Sequence, residues 1–220
     1  MRCLTRCASR LNGRVPILPS VRDPRLITVR RGGTLTDDDH RAHAEWAAQC
    51  AEHVLPLFER EVPDDPRPRE ALAVARAWIR GEVPMKVAHR TAFTANAAAR
   101  DRRDPAKFAA LAAGQAVAVA HVAAHNLGAA AYAIRAAESA ARMAILAGAV
   151  EPAGARSDAA GTSDLTAAAA GTSDLAASAA EAARLAERDW QRARLPASIR
   201  AFVLEDQLAR DDLCWGAFSD

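Results

Sequence analysis

The chain has 220 residues, half of them hydrophobic, enough for one domain with a core of its own. Its net charge of +2 hides an asymmetry: residues 1–31 carry eight Arg and one acid, Asp23, while residues 32–220 carry 21 basic and 26 acidic side chains. The folded part is therefore mildly acidic, which speaks against a nucleic-acid-binding domain, and four cysteines make no disulfide framework in a chain of this size.

In chain order, residues 1–31 read as a basic head without a core. Arg2, Arg6, Arg10 and Arg14 recur every four residues, and Pro16 and Pro19 stop any helix early. The composition has something of a targeting peptide, but it lacks a secretory apolar core and cleavage site. The expectation is a disordered segment outside the fold, whose first 20 residues can be removed with little loss of stability. Leu26-Ile27-Thr28-Val29 suits a short extended piece before the Gly32-Gly33 turn.

The first helix starts after Thr36, whose hydroxyl suits an N-cap and is followed by three Asp that complement the helix dipole. Trp46, Cys50, His53, Val54, Leu57 and Phe58 share one apolar face, with Glu45, Glu52 and Glu59 on the solvent side. Pro56 should kink this helix and free the Glu52 carbonyl. A second helix starts at the Asp65–Pro68 turn and runs to Arg80, turning Leu72, Ala75 and Ile79 inward beside Trp78, with Gly81 as its stop. Pro84 opens a third, with Met85, Ala88, Ala92, Ala95 and Ala99 facing in.

Residues 105–146 form the alanine-rich centre, with no Asp, Glu, Lys or Arg between Lys107 and Arg135. A helix apolar all round is a buried one. One straight helix over residues 106–146 would be about 60 Å long, against a diameter of roughly 45 Å for a compact chain of this length. A break is required, and Asn126-Leu127-Gly128 is the expected place because Asn and Gly tolerate left-handed backbone; Gly114 is the second candidate. On a helical wheel Gly114, Ala118, His121, His125, Gly128 and Tyr132 share a stripe. Gln115, His121, His125 and Asn126 must each find a partner in a core. The same window is too rich in alanine, and too interrupted by polar groups, for a membrane span.

Residues 148–178 contain a ten-residue duplication, Ala-Ala-Gly-Thr-Ser-Asp-Leu at 159–165 and again at 169–175, read as a low-complexity linker. Helix resumes near Ser178 and continues through Trp190. Leu195-Pro196 makes a joint, and a last helix carries Ile199, Phe202, Val203 and Leu208. The apolar tail around Cys214, Trp215 and Phe218 should fold back on the core, and Cys50 and Cys214 read as buried thiols. The expected architecture is all-α: a compact bundle of six to seven helices around a buried central helical pair. Residues 32–147 and 179–218 make its single domain.

Candidate chemistry is thin. His121 and His125 stand four apart, the spacing that puts two imidazoles on one helical face for a metal. Further ligands would have to come through the fold, from His89, His53 or Asp39. Histidines hydrogen-bonded in the core, or lining a pocket, are the preferred reading of the pair. The run Asp37-Asp38-Asp39-His40 is explained by a capped helix start, and Asp211-Asp212 by a solvated helix end. Ser163 and Ser173 lack a partnering base, and no phosphate loop, Cys-x-x-Cys pair or nucleophile elbow is present. No catalytic or cofactor-binding residue is therefore named, no cofactor is called for, and the partner-binding face is unknown.

One resemblance is specific. Leu35-Thr36-Asp37, then Trp46-Ala47-Ala48, Cys50-Ala51-Glu52 and Val54-Leu55-Pro56-Leu57-Phe58-Glu59, resemble the first helix of a bacterial all-helical family described as putative immunity proteins of polymorphic toxin systems. The likeness continues through Asp65, Arg67-Pro68, Ala77-Trp78, Gly81-Glu82 and Ala120-His121-Val122. It then takes in His125, Leu127-Gly128-Ala129-Ala130, Trp190-Gln191, Leu195-Pro196 and Cys214-Trp215. It implies a cytoplasmic protein that binds a cognate toxin and blocks it; with the charge distribution and the lack of a catalytic set, the expectation is a non-enzymatic monomer or homodimer that involves neither nucleic acid nor membrane. The alternatives are a helical metal-binding protein or enzyme built on His121 and His125, and a helical scaffold or regulator without a toxin partner.

Overall fold

The computed structural model describes residues 18, 19, 21–149 and 162–220; the basic head over residues 1–17, residue 20 and linker residues 150–161 lie outside them. Seven α-helices follow one another among the described residues: α1 (Asp37–Glu61), α2 (Arg67–Ile79), α3 (Met85–Ala98), α4 (Ala106–Ala118), α5 (His125–Ala149), α6 (Thr162–Ala193) and α7 (Ala197–Arg210). Three 3-10 turns, Pro24–Leu26, Val29–Arg31 and Asp212–Cys214, sit at the two ends of this order. The only strand-like feature among these residues is an isolated bridge between Thr28 and Leu35. The chain is an all-α bundle.

Helices α4 and α5 form the centre. α5 packs on α6, α4 and α1, and α4 packs on α5, α1, α3 and α2. The residues that make this possible are small: Ala109, Ala110, Ala112, Ala113 and Ala116 are all buried. Glycine extends the same device. A Cβ at Gly114 would lie 2.2 Å from Asn96 Oδ1 on α3, and one at Gly128 would lie 2.6 Å from Gln115 Oε1. The missing side chains set the approach of α4 to both neighbours.

The break in the central stretch falls at residues 119–124, upstream of the expected Asn126–Gly128. Asn126 explains the difference, because it works at the start of α5 rather than at the end of a helix. Its Oδ1 accepts the Leu127 N–H at 2.7 Å, one of the donors a first turn leaves orphaned. On the other side of the break, His40 Nε2 donates to the Val119 carbonyl at 2.7 Å and covers an acceptor the end of α4 leaves open. The stripe read from one continuous helix is thereby divided, with His121 in the turn and His125 on the first residue of α5.

α1 forms as its sequence requires. The Thr36 hydroxyl accepts the Asp39 N–H at 3.0 Å, and Trp46, Cys50, Val54 and Phe58 are buried. Burying Trp46 and Phe58 alone contributes on the order of 2–3 kcal/mol each. The helix continues through Pro56. His53 departs from the apolar face: it is exposed, stacks on Trp190 at 3.7 Å and contacts Glu187 Oε2 at 2.7 Å through Nδ1. The acids expected to be solvated instead hold α2. Glu52 accepts from Arg76 Nε at 2.8 Å with Glu45 on the same guanidinium, and Glu59 accepts from Arg69 Nε at 2.8 Å.

α6 begins at Thr162, well before Ser178, so the second copy of the duplication lies inside a helix. Alanine, the strongest helix former, carries it across the repeat. At its far end α6 clamps the C-terminal tail: Arg184 donates to the carbonyls of Ala217 and Ser219 at 3.1 and 2.8 Å, and Arg192 to Phe218 O at 2.8 Å. Asp211, expected to be solvated, accepts the Phe218 N–H at 2.8 Å. The tail's irregular backbone thus has its polar groups satisfied, and Cys214, Ala217 and Phe218 are buried beneath it. Leu208, on the last turn of α7, is 76% exposed.

Residues 21–31, assigned to the loose head, are in fact built into the bundle. Leu26 and Leu35 are buried against Val122, Ala123 and Ala124. Arg25 bridges Asp23 and Glu205 with its guanidinium 4.4 Å from the centre of the Phe202 ring. Two isolated leucines carry too little periodicity to announce this packing.

Candidate functional site

The histidine pair resolves into two separate environments. His125 donates Nδ1–H to Gln115 Oε1 at 2.7 Å, tying the first turn of α5 to α4. Burial pushes its pKa down to about 4, helped by the positive surroundings of His121 and Arg22. His121 instead lies 4.3 Å from the His89 ring, centre to centre, and its Nδ1 is shut off from solvent without a hydrogen-bond partner. Its pKa is lowered by burial first, then by His89, Arg31 and Arg22. Of the other groups weighed as ligands, His53 points to Glu187 and Asp39 accepts from the Thr36 hydroxyl at 2.8 Å. Among the described residues no three His, Cys, Asp or Glu gather as a metal would need.

Asn126, the fourth polar group of the central stretch, has a well-defined structural role. With its Oδ1 engaged by Leu127, its Nδ2 donates to His43 Nδ1 at 2.8 Å. That fixes His43 as an acceptor at Nδ1, hence neutral, and burial pushes its pKa down to about 4. A second buried cluster joins α6 to α1 and α5. Trp46 Nε1 donates to Gln191 O at 2.9 Å, and the Gln191 amide donates to Glu187 Oε1 and Ala130 O. These networks join helices through the buried polar groups they contain.

What the fold does open is a cleft of about 450 Å³ where the residue 22–31 segment meets α1, α2, the start of α3 and the α4–α5 turn. Arg22, Arg30, Arg31 and His121 supply its polar wall, and Leu26, Trp78, Met85 and Val122 much of its apolar lining. No Asp or Glu lines it. A smaller recess beside it, about 170 Å³, adds Asp37 and Arg41. The arginine-bearing segment is held in shape by Gly33, where a Cβ would sit 2.1 Å from Ile27 O and 2.5 Å from Pro24 O. No side chain fits there, so the loop closes tightly and presents Arg30 and Arg31 from a defined backbone.

Sequence reasoning placed these arginines in a head outside the fold. The charge asymmetry was visible, but its location in a cleft was not: residue 22 meets residues 78, 85 and 121 only after four helices have packed.

The family model described as Imm-5 like putative immunity protein matches residues 33–151. The matched stretch contains α1 through α5, and with them Trp78, Met85 and His121; the cleft arginines and helices α6 and α7 lie outside it. No curated protein and no solved structure matches the chain.

Proposed function

Because the chain belongs to the family of Imm-5 like putative immunity proteins, we propose that it binds a cognate bacterial toxin and neutralises it by direct protein–protein contact in the cytoplasm. The observation that carries this reading is the family match over α1–α5, which includes the whole central helical pair. The use made of the buried polar groups supports it. His40, His43, His125, Asn126 and Gln115 are committed to joining helices, as befits a rigid body that presents a surface. The test is a growth assay: the product of the gene beside this one is induced with and without this chain. Toxicity relieved by the chain supports the reading. Unchanged toxicity, or a neighbour harmless by itself, counts against it.

A further inference from the structure

On a body with an excess of carboxylates, the cleft between the residue 22–31 segment and the α4–α5 turn is locally basic and has an apolar lining. Of the three arginines that line it, one is already paired with a carboxylate, as are Arg41 in the adjoining recess and Arg76 on α2. Arg30 is 2.7 Å from Asp37, Arg41 is 3.1 Å from Asp38, and Arg76 is held by Glu45 and Glu52. Arg22 and Arg31 are exposed and have no ion pair with any described residue. Both line the cleft together with His121. Met85 and Trp78 add large, partly exposed apolar surface to the same cleft.

We propose that this cleft is the toxin-docking pocket, and that it takes a segment of the toxin bearing an Asp or Glu beside a large apolar side chain. The proposal rests on the immunity-protein reading and goes further by naming the face and the chemistry of the partner. A guanidinium already held by a carboxylate gains little from a second one, whereas Arg22 and Arg31 are free to form charge-assisted bonds. An apolar anchor in a pocket rimmed by charge is the arrangement in which a few residues dominate binding. The two halves of the pocket also have different origins. Trp78, Met85 and His121 belong to the family-matched stretch, while Arg22, Arg30 and Arg31 precede it. The apolar anchor site is then the common element, and the arginine edge selects among toxins by charge.

The experiment titrates the toxin encoded beside this gene, in an inactive form, onto the full chain immobilised for interferometry. It compares wild type, the double variant R22E/R31E, the single variant M85D and a control, R142E. Arg142 is exposed on α5, about 25 Å along the helix from His125. Melting temperatures are read for each protein; should M85D or the double variant melt early, R31Q replaces it. The expected result is binding at least about tenfold weaker for R22E/R31E and for M85D, with R142E unchanged and the wild-type on-rate falling with salt. Binding within about twofold of wild type in R22E/R31E overturns the docking site while leaving the immunity reading intact. A loss in R142E as large as in the double variant also overturns it, since general charge would then explain the effect. Failure of the wild type itself to bind overturns both readings.

Discussion

Lowering the pH from 7.5 to 5 puts a defined load on the two histidines that the core holds neutral. His43 and His125 each have a pKa pushed down to about 4, from an ordinary 6.5, chiefly by burial. Between those values the unfolded chain binds protons that the folded chain refuses, so stability falls as the pH drops through this window and recovers as it rises. At pH 5 each histidine costs about 2 kcal/mol relative to pH 7.5, about 4 kcal/mol together, which for a chain of this length is a drop in Tm of roughly 8–16 °C. His40, also depressed mainly by burial, acts in the same direction. Carboxylates such as Asp65, whose pKa the Arg67 guanidinium lowers, release their stabilisation only below the ordinary carboxylate range, so the window above pH 5 belongs mainly to histidine. Protonation at His43 is opposed a second time, because Nδ1 faces the Asn126 amide, itself a donor. The assay is a melting series by circular dichroism, joined to a titration of the histidine ring signals by NMR. A Tm that stays flat from pH 7.5 to 5, or a ring signal of His43 or His125 that titrates near 6.5, would falsify the reasoning.

Further outcomes follow from the packing. Gly128→Ala forces Gln115 aside and strains its bond to His125. It is expected to cost about 1–3 kcal/mol in urea unfolding; a neutral result would show that α4 and α5 can separate at no cost. Arg210→Ala strands the Asp206 carboxylate in a buried site and frees the Ala124 carbonyl. It should destabilise by about 3–5 kcal/mol, and a change below about 1 kcal/mol would mean that water reaches Asp206. Burial raises the pKa of Cys50 and pushes that of Cys214 up to about 12. Both thiols should therefore resist iodoacetamide at pH 8 until the chain is unfolded, and mass spectrometry that finds either one alkylated in the native protein contradicts their burial.

Much of the bundle was legible because helices announce themselves locally. Thr36 with three following Asp, the Gly81 stop and the Leu195-Pro196 joint each act within one turn of the backbone, and each marks a real boundary. The errors have a common physical source. Asn126 is ambiguous in sequence, since the same side chain ends one helix or starts the next, and only the capped Leu127 N–H decides which. The acids of α1 look solvated until α2 brings Arg76 and Arg69 to them. The duplicated segment looks like a linker because its polar residues outweigh the alanines to the eye, although the alanines carry the helix.

By itself, the sequence determined that this chain is an all-α bundle with an alanine-rich centre, because apolar periodicity, capping residues and the lack of charge between Lys107 and Arg135 are properties of neighbouring residues. Motifs along the chain likewise pointed to the family, which the match over residues 33–151 shows. Only the tertiary structure decided that His121 and His125 face different partners. Only it turned a scattered run of head arginines into one wall of a cleft with Trp78 and Met85. The reason is range: a helix is settled by contacts three and four residues apart, whereas a cleft is settled by which distant surfaces remain uncovered once the core has closed.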